Sequence, residues 1–177
     1  MRIVPISPVL YEEASDVLAD AYSGVFGRAI DLGYLERVRD IEGRVGESDV
    51  IVALEDQGDG TDRVVGCVTY VGDPSSGIAE SAAPGEVTVR MLGVSPAVQG
   101  RGVGRGLMQW CCTRARQDRA DRVVLYSHNL MTAAHRLYLS MGFERDESQD
   151  IALGEGSWLW YFVHELTKDV NGRSLRS

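Results

Sequence analysis

A cluster of glycines between a strand and a helix constrains this chain more than any other feature. Glu86 to Val94 reads as a β-strand, with Val87, Val89 and Met91 on one face and Thr88, Arg90 and Leu92 on the other. After Ser95-Pro96 comes Gln99-Gly100-Arg101-Gly102-Val103-Gly104-Arg105-Gly106. A helix follows to about Asp118, with Val103, Leu107, Trp110, Cys111 and Ala115 along one apolar stripe. Glycines placed just before a helix let successive backbone N–H groups converge on one point. The first N–H groups of a helix lack internal partners and carry the positive end of its dipole. Such a turn is an anion site suited to a diphosphate, and Arg101 and Arg105 add positive charge to it.

Two familiar phosphate loops do not fit. A Walker-type loop ends in Gly-Lys-Ser/Thr, which is absent here. A dinucleotide fingerprint needs a third glycine where Leu107 stands, and an acid closing the next strand, which instead ends near Tyr126-Ser127. A nucleotide-binding oxidoreductase is therefore a weak rival.

The rest of the chain alternates elements around this segment. Ile3 to Ile6 reads as a short strand. Ser7 then serves as an N-cap with Pro8 opening a helix to about Tyr22, and a break is expected from Ser23-Gly24 to Gly27. A second helix is predicted over Asp31 to about Ile41. The runs Asp49–Leu54 and Arg63–Val71, joined by a polar glycine-bearing loop, predict an antiparallel hairpin. Gly72 to Gly85 is a long connection, Arg122–Tyr126 a strand, and Thr132–Met141 a helix closed by Gly142. Two final strands are expected from Phe143 onward and over Trp158–Leu166. The alternation predicts a single α/β domain over residues 1–167, with 168–177 as a frayed polar tail.

Bulk properties narrow the class. The 177 residues, 44% hydrophobic and 25% charged, suit one soluble domain with a real core. The longest apolar stretches are too short to span a bilayer, and the first residues lack the apolar core of a secretory signal, so a cytoplasmic protein without membrane attachment is expected. A net charge of −8 argues against nucleic acid and favours a cationic or neutral partner. The three cysteines read as buried small hydrophobes, and the scattered histidines have no metal-ligand spacing, so no metal is expected.

Gln99-x-x-Gly102-x-Gly104 resembles the acetyl-CoA signature of the GNAT superfamily, Gln/Arg-x-x-Gly-x-Gly/Ala. Arg90-Met91-Leu92-Gly93-Val94-Ser95-Pro96 is similar to the family's strand into that turn. Leu137-Tyr138-Leu139-Ser140-Met141-Gly142-Phe143 is similar to its second hallmark, a helix ending Leu-Tyr-x-x-x-Gly-Phe. The match covers about Glu86 to Phe143, with both segments in the family's order and spacing.

The resemblance implies a mixed central sheet with splayed parallel strands and flanking helices. It implies that the backbone of Leu92, Gly93 and Val94 receives the pantetheine arm of acetyl-CoA as an added strand. Gln99, Gly100, Arg101, Gly102, Val103, Gly104 and Arg105 would then wrap the diphosphate. The implied activity is N-acetyl transfer to a small-molecule or peptide amine by direct attack in a ternary complex. Tyr138 is the implied general acid for the departing thiolate; a free phenol, with a pKa of about 10, is protonated at neutral pH. Where many members carry a pantetheine-holding asparagine this chain has Met131, with Asn129 and Thr132 as neighbouring substitutes. The base is expected to be a carboxylate or a water relay: Glu86 is the candidate, Thr88 stands where relatives carry a glutamate, and Tyr126 would orient a water. His135 is expected to be exposed. Tyr22, Phe26 and Tyr34 are candidates to line the acceptor region, with core packing an equal reading. Relatives are often dimers, so a homodimer is one expected assembly. The alternative activity is a coenzyme A-binding regulatory domain without transfer.

Overall fold

The computed structural model describes residues 1–27, 30–79 and 82–166, so the tail expected to fray lies outside the described residues. Eight strands form one mixed sheet: β1 Arg2–Pro5, β2 Asp49–Asp56, β3 Asp62–Val71, β4 Glu86–Val94, β5 Arg122–His128, β6 Glu144–Arg145, β7 Ile151–Gly154 and β8 Ser157–Glu165. The helices are α1 Tyr11–Phe26, α2 Leu32–Arg39, α3 Glu42–Val45, α4 Val103–Gln117 and α5 Thr132–Ser140. The mixed α/β fold expected from the sequence is the one observed.

The described chain packs as two compact units. Met1–Val71 with Val89–Cys111 forms the first; Gly72–Thr88 with the chain from Cys112 onward forms the second. Strand β4 and helix α4 each run from one unit into the other.

In the first unit the ladder is β1-β2-β3-β4. β1 and β2 are antiparallel, as are β2 and β3. Val50–Leu54 of β2 is buried without alternation, as befits a strand covered on both faces. Helix α1 contributes Ala14, Val17, Leu18, Ala19 and Tyr22 to the core; full burial of a side chain such as Leu18 stabilises by about 1.5–3 kcal/mol. Two expectations fail here. The helix does not break at Ser23-Gly24 but runs on to Phe26 and stops at Gly27, whose φ of 56° leaves the helical region. Ser7 is extended and makes no side-chain cap, because Pro8–Leu10 forms a separate 3₁₀ turn before α1. The predicted second helix divides. Asp31 caps α2 by accepting the Tyr34 N–H at 2.7 Å, Arg37 and Arg39 suit its C-terminal dipole, and the short α3 follows.

In the second unit the ladder is β4-β5-β8-β6, with β7 on β8. β4 and β5 are parallel through Glu86↔Arg122, Val87↔Val123 and Thr88↔Val124. That register ends there, although β4 continues to Val94 and β5 to His128. β5 pairs antiparallel with β8 along its whole length. Leu125, Phe143 and Phe162 are the large buried side chains of this core. Gly142, at φ 83°, follows α5 as predicted. No helix among the described residues is long and apolar enough to cross a membrane.

Candidate active site

The glycine-rich turn lies wholly in the first unit. Ser95 donates its N–H to Val65 O at 3.0 Å, and Pro96–Val98 makes a 3₁₀ turn that swings the chain out of β4. Gln99 reaches back, its Nε2 donating to Val94 O at 3.5 Å, so the side chain braces the turn against the strand it leaves. Gly100 and Gly102 have φ of 79° and 85°, the left-handed region that glycine adopts without strain. The first helical bond of α4 runs from Gly106 N to Gly102 O at 3.0 Å. The Arg101 N–H is spent on Val98 O at 3.3 Å. The N–H groups of Gly100, Gly102, Val103 and Gly104 have no acceptor among the described residues. A Cβ built on Gly100 or Gly102 meets no atom within 4 Å, so the cradle is open rather than filled by the protein's own side chains. It fits a bound diphosphate.

Side chains divide the remaining work. Val103 is buried against Gly66, so it offers the cradle only its backbone. The Arg101 guanidinium is held 2.6 Å from Glu55 Oε1, and Arg63 occupies Oε2 at 3.1 Å. The Arg63 hydrogen bond, with Arg101 beside it, holds the Glu55 carboxyl below the usual carboxylate range. Arg105 is exposed on the first turn of α4. Upstream, Met91 has φ 50°, a left-handed residue inside β4 that ends the expected alternation of faces. Such a conformation costs a non-glycine residue about 1–2 kcal/mol. At Gly93 a Cβ would lie 2.7 Å from Leu18 Cδ2 and 3.2 Å from Ala21 Cβ; only glycine lets α1 pack so close to the Leu92–Val94 backbone.

The second unit carries the other predicted residues. Tyr138 is buried on α5, its ring 5.4 Å from Phe162 and 5.8 Å from Phe143. Glu86 is buried at the start of β4; its Oε2 accepts the Ala83 N–H at 2.8 Å and its Oε1 faces Arg122 at 3.5 Å. The Thr88 hydroxyl donates to Ala79 O at 2.9 Å. Tyr126 packs on Tyr161, 5.1 Å between centroids, and burial together with the charge of Glu86 pushes the Tyr161 phenol up to about 12. Asn129 has both ends of its amide engaged by the β7–β8 hairpin: Nδ2 donates to Gly156 O at 3.1 Å and Oδ1 accepts the Trp158 N–H at 3.3 Å. Met131 precedes α5 without capping it through its side chain, and Thr132 is exposed at its first position.

His135 corrects an expectation. It is buried rather than exposed, stacked on Trp160 at 4.7 Å, with Nε2 3.2 Å from Ser127 Oγ. Burial is the chief cause of its lowered pKa, opposed by a hydrogen bond to the His128 backbone and reinforced by the charge of Arg145. Arg145 in turn lies 3.9 Å over the Trp160 ring. The alternation Trp158, Trp160, Phe162 along β8 was the only sequence signal for this stack. Among the described residues no group of three His, Cys, Asp or Glu could hold a metal.

A search of curated proteins returned no match. The structure resembles a GNAT-family acetyltransferase from Staphylococcus aureus Mu50, at 13% identity over 93% of this chain and 98% of that one, with a TM-score of 0.72. It resembles the ribosomal-protein-alanine N-acetyltransferase of Brucella melitensis, at 19% identity over 94% and 100%, TM-score 0.65. It also resembles the PaiA N-acetyltransferase of Thermoplasma acidophilum, solved in complex with coenzyme A, at 13% identity over 93% and 98%, TM-score 0.70. These likenesses show the fold. The model of the acetyltransferase (GNAT) family matches residues 15–143, well over half the sequence and inclusive of both the glycine-rich turn and the Tyr138 helix, so the chain belongs to the GNAT family.

Proposed function

We propose that this protein is an acetyl-CoA-dependent N-acetyltransferase acting on a small-molecule or peptide amine, with residues 1–167 as its catalytic domain. The observation that carries this reading is the open cradle: the N–H groups of Gly100, Gly102, Val103 and Gly104 lack acceptors among the described residues at the mouth of α4, in a member of this family. Acetyl-CoA, when bound, supplies the activated acyl group. Those N–H groups hold its diphosphate, with Arg101 and Arg105 contributing charge. The backbone of Leu92, Gly93 and Val94 pairs with the amide-bearing arm, and Gln99 keeps the turn seated on β4. Asn129, its amide held by the hairpin, contributes by ordering the loop before α5.

Chemistry then needs two proton movements. The amine nitrogen bonds to the acyl carbon and the carbon–sulfur bond breaks. The Tyr138 hydroxyl gives its proton to the leaving sulfur. The proton lost by the amine passes through water to Glu86, whose carboxylate is already oriented by Ala83 and Arg122. A general acid contributes roughly 10²–10⁴-fold.

Calorimetry with acetyl-CoA and thiol release with a broad amine panel test the reading. Tyr138→Phe is expected to lower turnover by about 10²–10⁴-fold while acetyl-CoA affinity stays unchanged. Unchanged turnover removes Tyr138 from the mechanism, and absence of acetyl-CoA binding removes the function. Binding without acetylation of any amine supports the regulatory-domain alternative, which rests on Met131 standing where many family members carry asparagine.

A further inference from the structure

The helix that carries Tyr138 lacks the usual local supports. α5 has nine residues, Met131 gives it no side-chain cap, and it has no acid in its first turn and no base in its last. Isolated helices below about 12–15 residues are marginal in water, so α5 depends on what ties it down. At its C-terminal end His164 Nδ1 donates to Gly142 O at 2.9 Å, and the Phe143 ring stacks on His164 at 5.0 Å. At its N-terminal end the tie is His135.

His135 is 6% exposed, and its Nε2 lies 3.2 Å from the hydroxyl of Ser127, itself buried. The ring also donates to the His128 backbone. Both polar contacts therefore fall on consecutive residues at the end of β5. The ring stacks on Trp160 at 4.7 Å and lies 5.3 Å from Phe162. Tyr138, one helical turn further along α5, packs on the same Phe162 at 5.4 Å. A continuous set of contacts thus runs from Ser127 through His135 and Phe162 to Tyr138, all within the second unit. Satisfied polar contacts in a buried setting fix one arrangement more sharply than apolar packing does.

The charges around His135 favour its neutral form. Arg145 of β6 lies 3.9 Å over the Trp160 ring on which His135 stacks, and His128 of β5 is the other titratable group that bears on it. The β8 groups against it, Trp160 and Phe162, carry no charge. Asp150 and Glu147 are paired with Arg145. Protonation would turn Nε2 into a donor and set a second cation against the Trp160 stack. Accepting the acetyltransferase reading with Tyr138 as proton donor, on which this rests, we infer that Ser127 and His135 are positioning residues. Neutral His135, seated on Ser127, fixes α5 so that Tyr138 is aligned, and protonation of His135 unseats it.

The experiment follows thiol release from acetyl-CoA with water as acceptor, acetyl-CoA affinity by calorimetry, and the ring signals of His135 and Tyr138 by NMR. His135→Leu is expected to lower turnover about 10–100-fold with acetyl-CoA affinity unchanged. Added to Tyr138→Phe, it should change turnover by less than about threefold, because two residues acting as a unit are not additive. Wild-type turnover should decline from about pH 7 to about pH 5, with the Tyr138 signals moving as His135 titrates. His135→Gln, whose carbonyl can accept from Ser127 and which does not titrate there, should recover most of the turnover and lose that decline. Ser127→Ala, a small change that folding tolerates, should lower turnover as His135→Leu does. Wild-type turnover in both His135→Leu and Ser127→Ala, an undiminished decline in His135→Gln, or Tyr138 signals unmoved by His135 titration overturns the inference. A full further loss in the double variant overturns it alone, whereas wild-type turnover in Tyr138→Phe defeats the Tyr138 reading and the inference with it.

Discussion

Replacing Gly66 with alanine should damage stability and, on the proposed function, coenzyme A binding, because one atom would press on the base of the glycine-rich cradle. A Cβ at Gly66 would lie 2.8 Å from Val103 Cγ1, 3.0 Å from Leu107 Cδ1 and 3.3 Å from Gly93 O. Carbon atoms in optimal contact stand about 3.5–4.0 Å apart, so the overlap is roughly 1 Å. Val103 is β-branched and stiff at χ1, and Gly93 O is backbone, so neither yields by rotation. The first turn of α4 must move instead, carrying the Val103 and Gly104 N–H groups with it. Overpacking of this kind costs about 1–3 kcal/mol. In a protein of this size that corresponds to roughly 2–4 °C in Tm per kcal/mol, or about 2–12 °C. Hydrogen bonds to a charged group contribute about 1.5–3 kcal/mol each, so partial misalignment at the turn should cost about 1–2 kcal/mol, or roughly 5–30-fold in Kd. Thermal unfolding and calorimetry with coenzyme A measure both. Gly46→Ala is the control: its φ of −74° suits alanine and its Cβ would meet nothing within 4 Å, so Tm should hold or rise slightly. An unchanged Tm in Gly66→Ala would refute the steric argument; a lowered Tm with wild-type affinity would refute the coupling of β3 packing to the cradle.

Other perturbations test separate parts. Glu55→Gln releases Arg101 from its ion pair and should tighten coenzyme A binding modestly, with a steeper salt dependence of Kd; equal affinity at low and high salt would show that Arg101 contributes nothing to the cradle. Burial chiefly depresses the His135 pKa below its unfolded value of about 6.5, so its contribution to stability is complete above that pH and lost as pH falls through the lower folded value. Tm should therefore decline from pH 7 toward pH 5, and His135→Phe should flatten that decline; an equal slope in the variant would contradict the assignment. Burial pushes the Cys67 thiol up to about 12, and Cys67, Cys111 and Cys112 are all buried, so a thiol reagent should react with them only on unfolding. Rapid labelling of native protein at neutral pH would count against this packing.

Much of the fold was legible because its signals are local. A strand, two left-handed glycines and an amphipathic helix stand in sequence order, and the family's second hallmark follows at Tyr138. Backbone N–H groups at a helix start are unpaired by geometry alone, so the cradle follows from local structure once the helix is placed. Where α1 ends was less legible, since Ser23-Gly24 reads as a break but the helix is held to Phe26, with Tyr22 packed on Phe26 and Tyr34. Tertiary packing here outweighs the low propensity of glycine.

By itself the sequence determined the glycine-rich turn and the α/β class, because both depend on residues close together in the chain. Only the tertiary structure decided which polar groups are spent and which remain available. Asn129 is taken up by a hairpin, Glu86 is clamped by Ala83 and Arg122, and His135 is buried against Trp160. Arg44 and Thr69 are left with unpaired atoms on elements distant in sequence. Burial and hydrogen-bond satisfaction depend on neighbours brought in by folding, and periodicity along one chain carries no record of them.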